Sequence, residues 1–228
     1  MTAPLRPAAT VILLREGPTG PEVWLMERSR SVGFMASAWV FPGGRVDPGD
    51  DVPVSLPEHE GAIPTGFWVA AARELEEEAG VRLGRTGGSA ISGLRPWAHW
   101  ITPEVEPRRY DTWFFTARLP EGETAVHDGG EAVAGAWFTP TEALRRAAQG
   151  ELPVAPPTLR TLLELEPFAT VADILAVRRR LPPICPRFLT GDDGLLYVLL
   201  PGDPDHPSAA RVDPPYRYVF EAGRWWAR

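Results

Sequence analysis

The stretch AARELEEEAGV, residues 71–81, packs four glutamates into five positions and stops at a glycine. Such a run is ordinarily the solvated face of a helix, because glutamate is a good helix former. Helical geometry divides the run. At about 100° per residue, Glu74, Glu77 and Glu78 share one arc away from Trp68, Ala72 and Leu75, while Glu76 points elsewhere. Carboxylates at i, i+3 and i+4 repel by about a few tenths of a kcal/mol per pair. Arg73, at the edge of the arc, is the one basic residue beside them. An all-carboxylate face of this kind suits an oxygen-seeking divalent cation, Mg²⁺ or Mn²⁺, better than Zn²⁺.

Other residues carry chemistry only in context. Arg45, Arg108 and Arg109 are candidate clamps for substrate phosphate, since a guanidinium matches phosphate oxygens bidentately. Arg108 and Arg109 read equally well as a solvated pair at the start of a strand. Trp97, Trp100 and Trp113 could stack on a nucleobase, although aromatic residues in strands more often belong to a core. His99 has no second histidine at ligand spacing and reads as a packed side chain. The lone Cys185 has no partner for an internal disulfide and reads as a small buried residue in a reducing compartment.

The elements that must position these groups follow from pattern. AATVILL (8–14) and EVWLME (22–27) flank Gly-Pro-Thr-Gly-Pro and predict a hairpin. AWVFPGG (38–44) predicts a strand running into a tight glycine turn. Residues 45–65, with four prolines and two glycines, predict an exposed loop. Apolar residues from Trp68 to Ala79 recur at helical spacing, and Gly80-Val81 supplies the stop. Strands are predicted at 94–102, 108–117 and 134–139, and a helix at 140–150. Beyond Gly150 the chain predicts two helices, the second capped by Thr170, then a proline-rich stretch with strands at 195–200 and 216–221. Strands on both sides of a helix imply an α+β fold with a mixed sheet. The reading is a domain over 1–150 and an extension over 151–228 that packs on it or on a second subunit.

At this point the residues carry a resemblance. RELEEEAGV (73–81) matches the helical half of the signature of the Nudix hydrolases, and FPGG (41–44) resembles its opening turn. The resemblance implies an α/β/α sandwich with a mixed β-sheet and cleavage of a nucleoside diphosphate linked to another group. It implies Glu74, Glu77, Glu78 and the Gly43 carbonyl as ligands of Mg²⁺ or Mn²⁺, with Glu77 catalytic and Arg73 orienting a glutamate through an ion pair. It also places a catalytic base near Glu131, six residues before Trp137, with His127 and Asp128 as neighbours. The signature is interrupted. Six residues beyond Gly44 stands Asp50 in place of glutamate, and the arginine due at position 58 stands at 73. An interrupted signature is similar to that of coenzyme A diphosphatases of the Nudix motif 19 type, as are WITPEVEPRRYDTWFF (100–115), HDGGE (127–131) and LPGD (200–203). Coenzyme A or an acyl derivative is therefore the expected substrate. ADP-ribose, NADH or another nucleotide are the alternatives, as is a sensor that binds a nucleotide without cutting it.

Bulk properties set limits on partners. A net charge of −7 disfavours nucleic acid and anionic membrane as partners, and no apolar run is long enough to span a bilayer. The expected partner is a small nucleotide, the expected compartment the cytoplasm, and a homodimer is compatible with the extension. All 23 basic residues are arginine, so arginine alone is a weak marker of phosphate contact in this chain.

Overall fold

The computed structural model describes residues 2–29, 37–53, 63–84 and 91–228. Two long strands, β1 (Leu5–Gly17) and β2 (Gly20–Arg28), form the expected hairpin, closed by the Gly17–Gly20 pair. β1 alternates between two cores. Ala9, Val11 and Leu13 point to one face and Ile12 and Leu14 to the other, which is the period-two consequence of a pleated strand buried on both sides.

Around β1 a seven-stranded mixed sheet assembles. β3 (Trp39–Val40) and β7 (Ala132–Phe138) pair with β2, while β4 (Gly43–Arg45) pairs with β1. β6 (Arg109–Arg118) runs parallel to β1 along ten residue pairs, and β5 (Arg95–Ile101) pairs antiparallel with β6. One face is covered by α1 (Thr65–Ala79), whose Trp68, Ala71, Leu75 and Ala79 are fully buried. The opposite face is covered by α2 (Pro140–Gln149), α3 (Pro156–Leu165) and α4 (Val171–Ala176). The molecule is thus the α/β/α sandwich with a mixed sheet that the sequence implied.

Both signalled helix ends are realised. Gly80 adopts φ 68° as the α1 stop, where a residue with a Cβ would be strained. Thr170 accepts a hydrogen bond from the Asp173 amide at the start of α4.

Three expectations change. FPGG is not a tight glycine turn: the chain bends at Phe41-Pro42, and Gly43-Gly44 enter the sheet opposite Thr10 and Ala9. The stretch after Arg45 is not plain loop at its start, because Pro48–Asp50 forms a 3-10 turn with Asp50 buried; positions 54–62 lie outside the described residues. The proline-rich tail holds two strands beyond those expected. β8 (Arg187–Thr190) and β11 (Arg224–Ala227) join β9 (Leu196–Leu199) and β10 (Arg217–Glu221) in a four-stranded antiparallel sheet. Tyr218, Val198 and Leu200 of this part share one core with Ile12 and Leu25 of the main sheet.

Candidate active site

The acidic helix and the glycine strand meet, although 29 positions separate Gly44 from Arg73 in the chain. The Gly43 amide donates a 2.7 Å hydrogen bond to Glu78 Oε2. A Cβ on Gly44 would lie 2.4 Å from the Glu74 carboxyl, and one on Gly43 would lie 2.4 Å from the Ala9 carbonyl oxygen. Neither glycine has positive φ. Both are needed because backbone approaches backbone or carboxylate there too closely for a side chain.

Arg73 is the fastener behind the site. Its Nε and Nη2 donate to the two oxygens of Asp50 at 3.0 and 2.9 Å, and Nη2 also donates to the Arg45 carbonyl at 2.9 Å. Nη1 donates to Glu74 Oε1 and Glu77 Oε2, each at 2.9 Å. Asp50, six residues beyond Gly44, is thus the buried carboxylate that the arginine holds. Burial works against the Asp50 anion, but the hydrogen bonds from Arg73 and the Asp47 amide outweigh it and hold this carboxyl below the usual range. The same hydrogen bond from Asp50 raises the Arg73 pKa further.

Among the three aligned glutamates, exposure is unequal. Glu77 is 57% exposed and Glu74 only 14%. Burial pushes the Glu78 carboxyl up to about 7, opposed by the Gly43 amide, and burial also raises Glu74 against the pull of Arg73. Glu76 pairs with Arg82 on the surface at 2.6 Å, apart from the other three.

These residues open onto a cleft of about 760 Å³. Gly43, Arg45, Glu74, Glu77, Glu78, Arg108 and Glu131 all line it, so seven of the residues singled out by sequence come together in one place. Two do not. Arg109 is buried and donates to the Thr102 and Ala3 carbonyls, serving the backbone instead of a ligand. Trp100 is 6% exposed and packs in the core beside Phe114, so it offers no stacking face to the cleft. Trp97 is core as well, and Trp113 stacks on His99 at 4.3 Å, where His99 meets Asp111 at 2.6 Å.

Residues 126–131 are stapled to the end of α1. The Val126 amide donates to the Ala79 carbonyl and the Asp128 amide to the Glu78 carbonyl, satisfying helix-end acceptors that would otherwise lack partners. Asp128 is occupied within its own loop by the amides of Glu131 and Ala132. The Glu131 carboxylate stays 66% exposed in the cleft, 4.0 Å from Arg28 Nη2. Of the two carboxylates among the base candidates, Glu131 is therefore the one not held by backbone amides.

Arg28, the last residue of β2, went unnoticed in the sequence although it lines the cleft. Nothing local marks it, since its position depends on a strand register that only the assembled sheet defines. Tyr110, Thr112 and Phe114 of β6 and the first turn of α3 complete the wall.

The charge balance bears on what fits. Asp47, Glu74, Glu77, Glu78, Asp128 and Glu131 face Arg28, Arg45 and Arg108 in the same cleft. A diphosphate entering an acid-rich cleft would be repelled unless cations intervened. Among the described residues no three acids close around a single point, because Arg73 draws Glu74 and Glu77 to itself and the Gly43 amide holds Glu78. The donor set is nonetheless all oxygen and lines one wall, which fits Mg²⁺ or Mn²⁺.

The same architecture appears in known proteins. The NUDIX domain model matches residues 65–158. Over that stretch the chain carries a NUDIX domain and is similar to the Nudix hydrolases. The match starts at the first residue of α1 and leaves FPGG outside it. Acyl-coenzyme A diphosphatase NUDT19 of Gallus gallus is 27% identical, with 88% of this chain aligned to 75% of that protein. Putative nudix hydrolase 7 of Caenorhabditis elegans is 26% identical over 89% of this chain and 75% of its own. A NUDIX hydrolase from Alicyclobacillus acidocaldarius superposes with a TM-score of 0.64 at 27% identity, covering 80% of this chain and all of that one.

Proposed function

We propose that this Nudix hydrolase is a Mg²⁺- or Mn²⁺-dependent diphosphatase whose preferred substrate is coenzyme A or an acyl-coenzyme A, cut to phosphopantetheine and adenosine 3′,5′-bisphosphate. The observation that carries the reading is the cleft in which six acids face three arginines, in a chain that aligns over 88% of its length with a protein named an acyl-coenzyme A diphosphatase.

In this reading Glu74, Glu77 and Glu78 hold the cation, with the Gly43 carbonyl as a further oxygen donor. A bound divalent ion supplies charge neutralisation of phosphate oxygens and acidifies a water molecule. Arg28, Arg45 and Arg108 bind the phosphate groups and orient the bridge. Glu131 accepts the proton of the attacking water, its carboxylate being free of backbone partners. Arg73 acts at one remove, fixing where Glu74 and Glu77 can point. The cytoplasm is the compartment proposed, in keeping with a single free Cys185; no helix among the described residues is long and apolar enough to cross a membrane.

A chromatographic assay of coenzyme A, ADP-ribose, NADH and diadenosine polyphosphates with Mg²⁺ and Mn²⁺ tests the proposal. Coenzyme A and its acyl esters should be turned over with the highest kcat/KM. Turnover of ADP-ribose with none of coenzyme A would overturn the substrate assignment.

A further inference from the structure

A second cavity, about 700 Å³, lies between α3, β5 and the segments around Arg179–Ile184 and Ala210–Asp213. Its wall is apolar through Trp97, Leu181, Ile184 and Val212, yet four arginines also line it: Arg160, Arg179, Arg180 and Arg211. The chain carries a net charge of −7, so a cationic cavity runs against its average.

Two of the four arginines are structural. Arg160 is 3% exposed and donates to the Pro215 and Asp213 carbonyls at 3.0 and 2.8 Å. Arg179 lies 4.3 Å over the Trp97 ring, and Glu164 bridges Arg160 and Arg179 at 2.9 and 2.8 Å. The charge of Glu164 is thereby spent on the wall. Arg180 and Arg211 are exposed, and neither has an ion-pair or hydrogen-bond partner among the described residues. Asp213 is the one lining acid outside that bridge, which leaves the cavity cationic.

This cavity and the catalytic cleft share a sheet face. Ala98 of the second cavity sits opposite Phe114 of the first in the β5–β6 register, and both point into the same core, on strands ~4.8 Å apart. Along α3, Thr158 lines the cleft and Glu164 the second cavity, ~9 Å further at the rise of a helix.

We propose that the second cavity binds the phosphomonoester-bearing nucleoside end of the substrate, the flat base against the apolar wall and the phosphate between Arg180 and Arg211. This rests on the coenzyme A reading, since that substrate carries a 3′-phosphate that dephospho-coenzyme A lacks. Two unpaired guanidinium groups favour a phosphate dianion over an acyl tail, which would leave both charges unused.

Steady-state kinetics of wild type and the Arg180→Ala/Arg211→Ala variant on coenzyme A and dephospho-coenzyme A test it. KM for coenzyme A should rise about tenfold, the size expected for losing a charge-assisted contact, with kcat within about twofold. KM for dephospho-coenzyme A should not move. An equal rise on both substrates, no rise on either, or a loss that tracks acyl chain length would overturn the proposal. If coenzyme A is not hydrolysed at all, the substrate reading fails on its own. Calorimetric titration of the full chain with adenosine 3′,5′-bisphosphate against 5′-AMP then decides the site separately. A preference for the bisphosphate that the double variant loses supports it, and equal binding of both nucleotides refutes it.

Discussion

Each glutamate of the acidic run has its own surroundings, and substitutions should separate them. Glu77→Gln removes one of the proposed anionic ligands from an exposed position, so the fold should stay intact while kcat falls at least a hundredfold. Mg²⁺ should raise the melting temperature of wild type more than that of this variant; substantial residual turnover would sink the ligand role. Glu76→Gln, its carboxylate paired with Arg82 at the surface, should leave kcat within about twofold. Asp50→Asn tests the fastener. It leaves Arg73 without its buried anion, and because Arg73 is 26% exposed the loss should be about 1–2 kcal/mol, read by urea denaturation. Sequence alone separated Glu76 from the other three, because helical spacing is local information. It could not choose between Arg108 and Arg109. Successive residues of a strand face opposite ways, and which one meets solvent depends on Ala3 and Thr102 arriving beneath Arg109. Trp100 failed for the same reason, its core partners coming from elements remote in the chain.

At the scale of the element, the two glycines of FPGG should respond differently to the same substitution. Gly44→Ala sets a Cβ against the Glu74 carboxyl, a side chain that can swing aside. Turnover should drop more than tenfold with little change in melting temperature. Gly43→Ala sets a Cβ against the Ala9 carbonyl oxygen, which belongs to the central strand. There the expected loss is in stability, by about 1–3 kcal/mol, seen as a lower melting temperature with or without metal. Equal effects at both positions would contradict this geometry. The glycines were visible in the sequence, but their reason was misread: dipeptides of this type signal turns, whereas these serve close approach within a sheet. α1 was legible because its stripe and stop are both local. β8 and β11 were not, since each has four residues and neither alternates long enough to stand out from its prolines.

For the whole molecule, one core runs through both parts of the chain, with Leu159, Leu162, Leu165, Ile174 and Tyr218 packed against Ile12, Leu14 and Leu25. A chain ending at residue 150 should therefore fail to give a cooperative unfolding transition, since it would leave α2 alone to cover one face of the sheet. The second sheet carries its own pH signature. Arg217 donates to both oxygens of Asp203 at 2.8 Å, and those bonds hold the Asp203 carboxyl below its usual range of about 4. The depressed value means that the stabilisation is complete above the ordinary aspartate pKa and is lost as pH falls through the folded-state value. Asp203→Asn should cost ~1–2 kcal/mol at neutral pH, and the gap to wild type should close below about pH 4. A gap that persists in acid would show that the ion pair is not its source. The two-face alternation of β1 made the sandwich readable, while the joining of tail and sheet in one core was not, because it is written in no local period.

The interruption of the Nudix box has one more consequence. Just past the Asp50–Arg73 fastener, Thr65 Oγ1 donates to Asp51 Oδ1 at 3.4 Å, so the chain departs from the site and returns to it at nearly one point. The cost of closing an excursion between fixed ends grows only logarithmically, about 0.6 kcal/mol for each doubling of its length. Lineages could therefore lengthen, shorten or replace this excursion without rebuilding the catalytic wall. For the same reason, it is a natural port at which a reporter domain can be spliced into the enzyme.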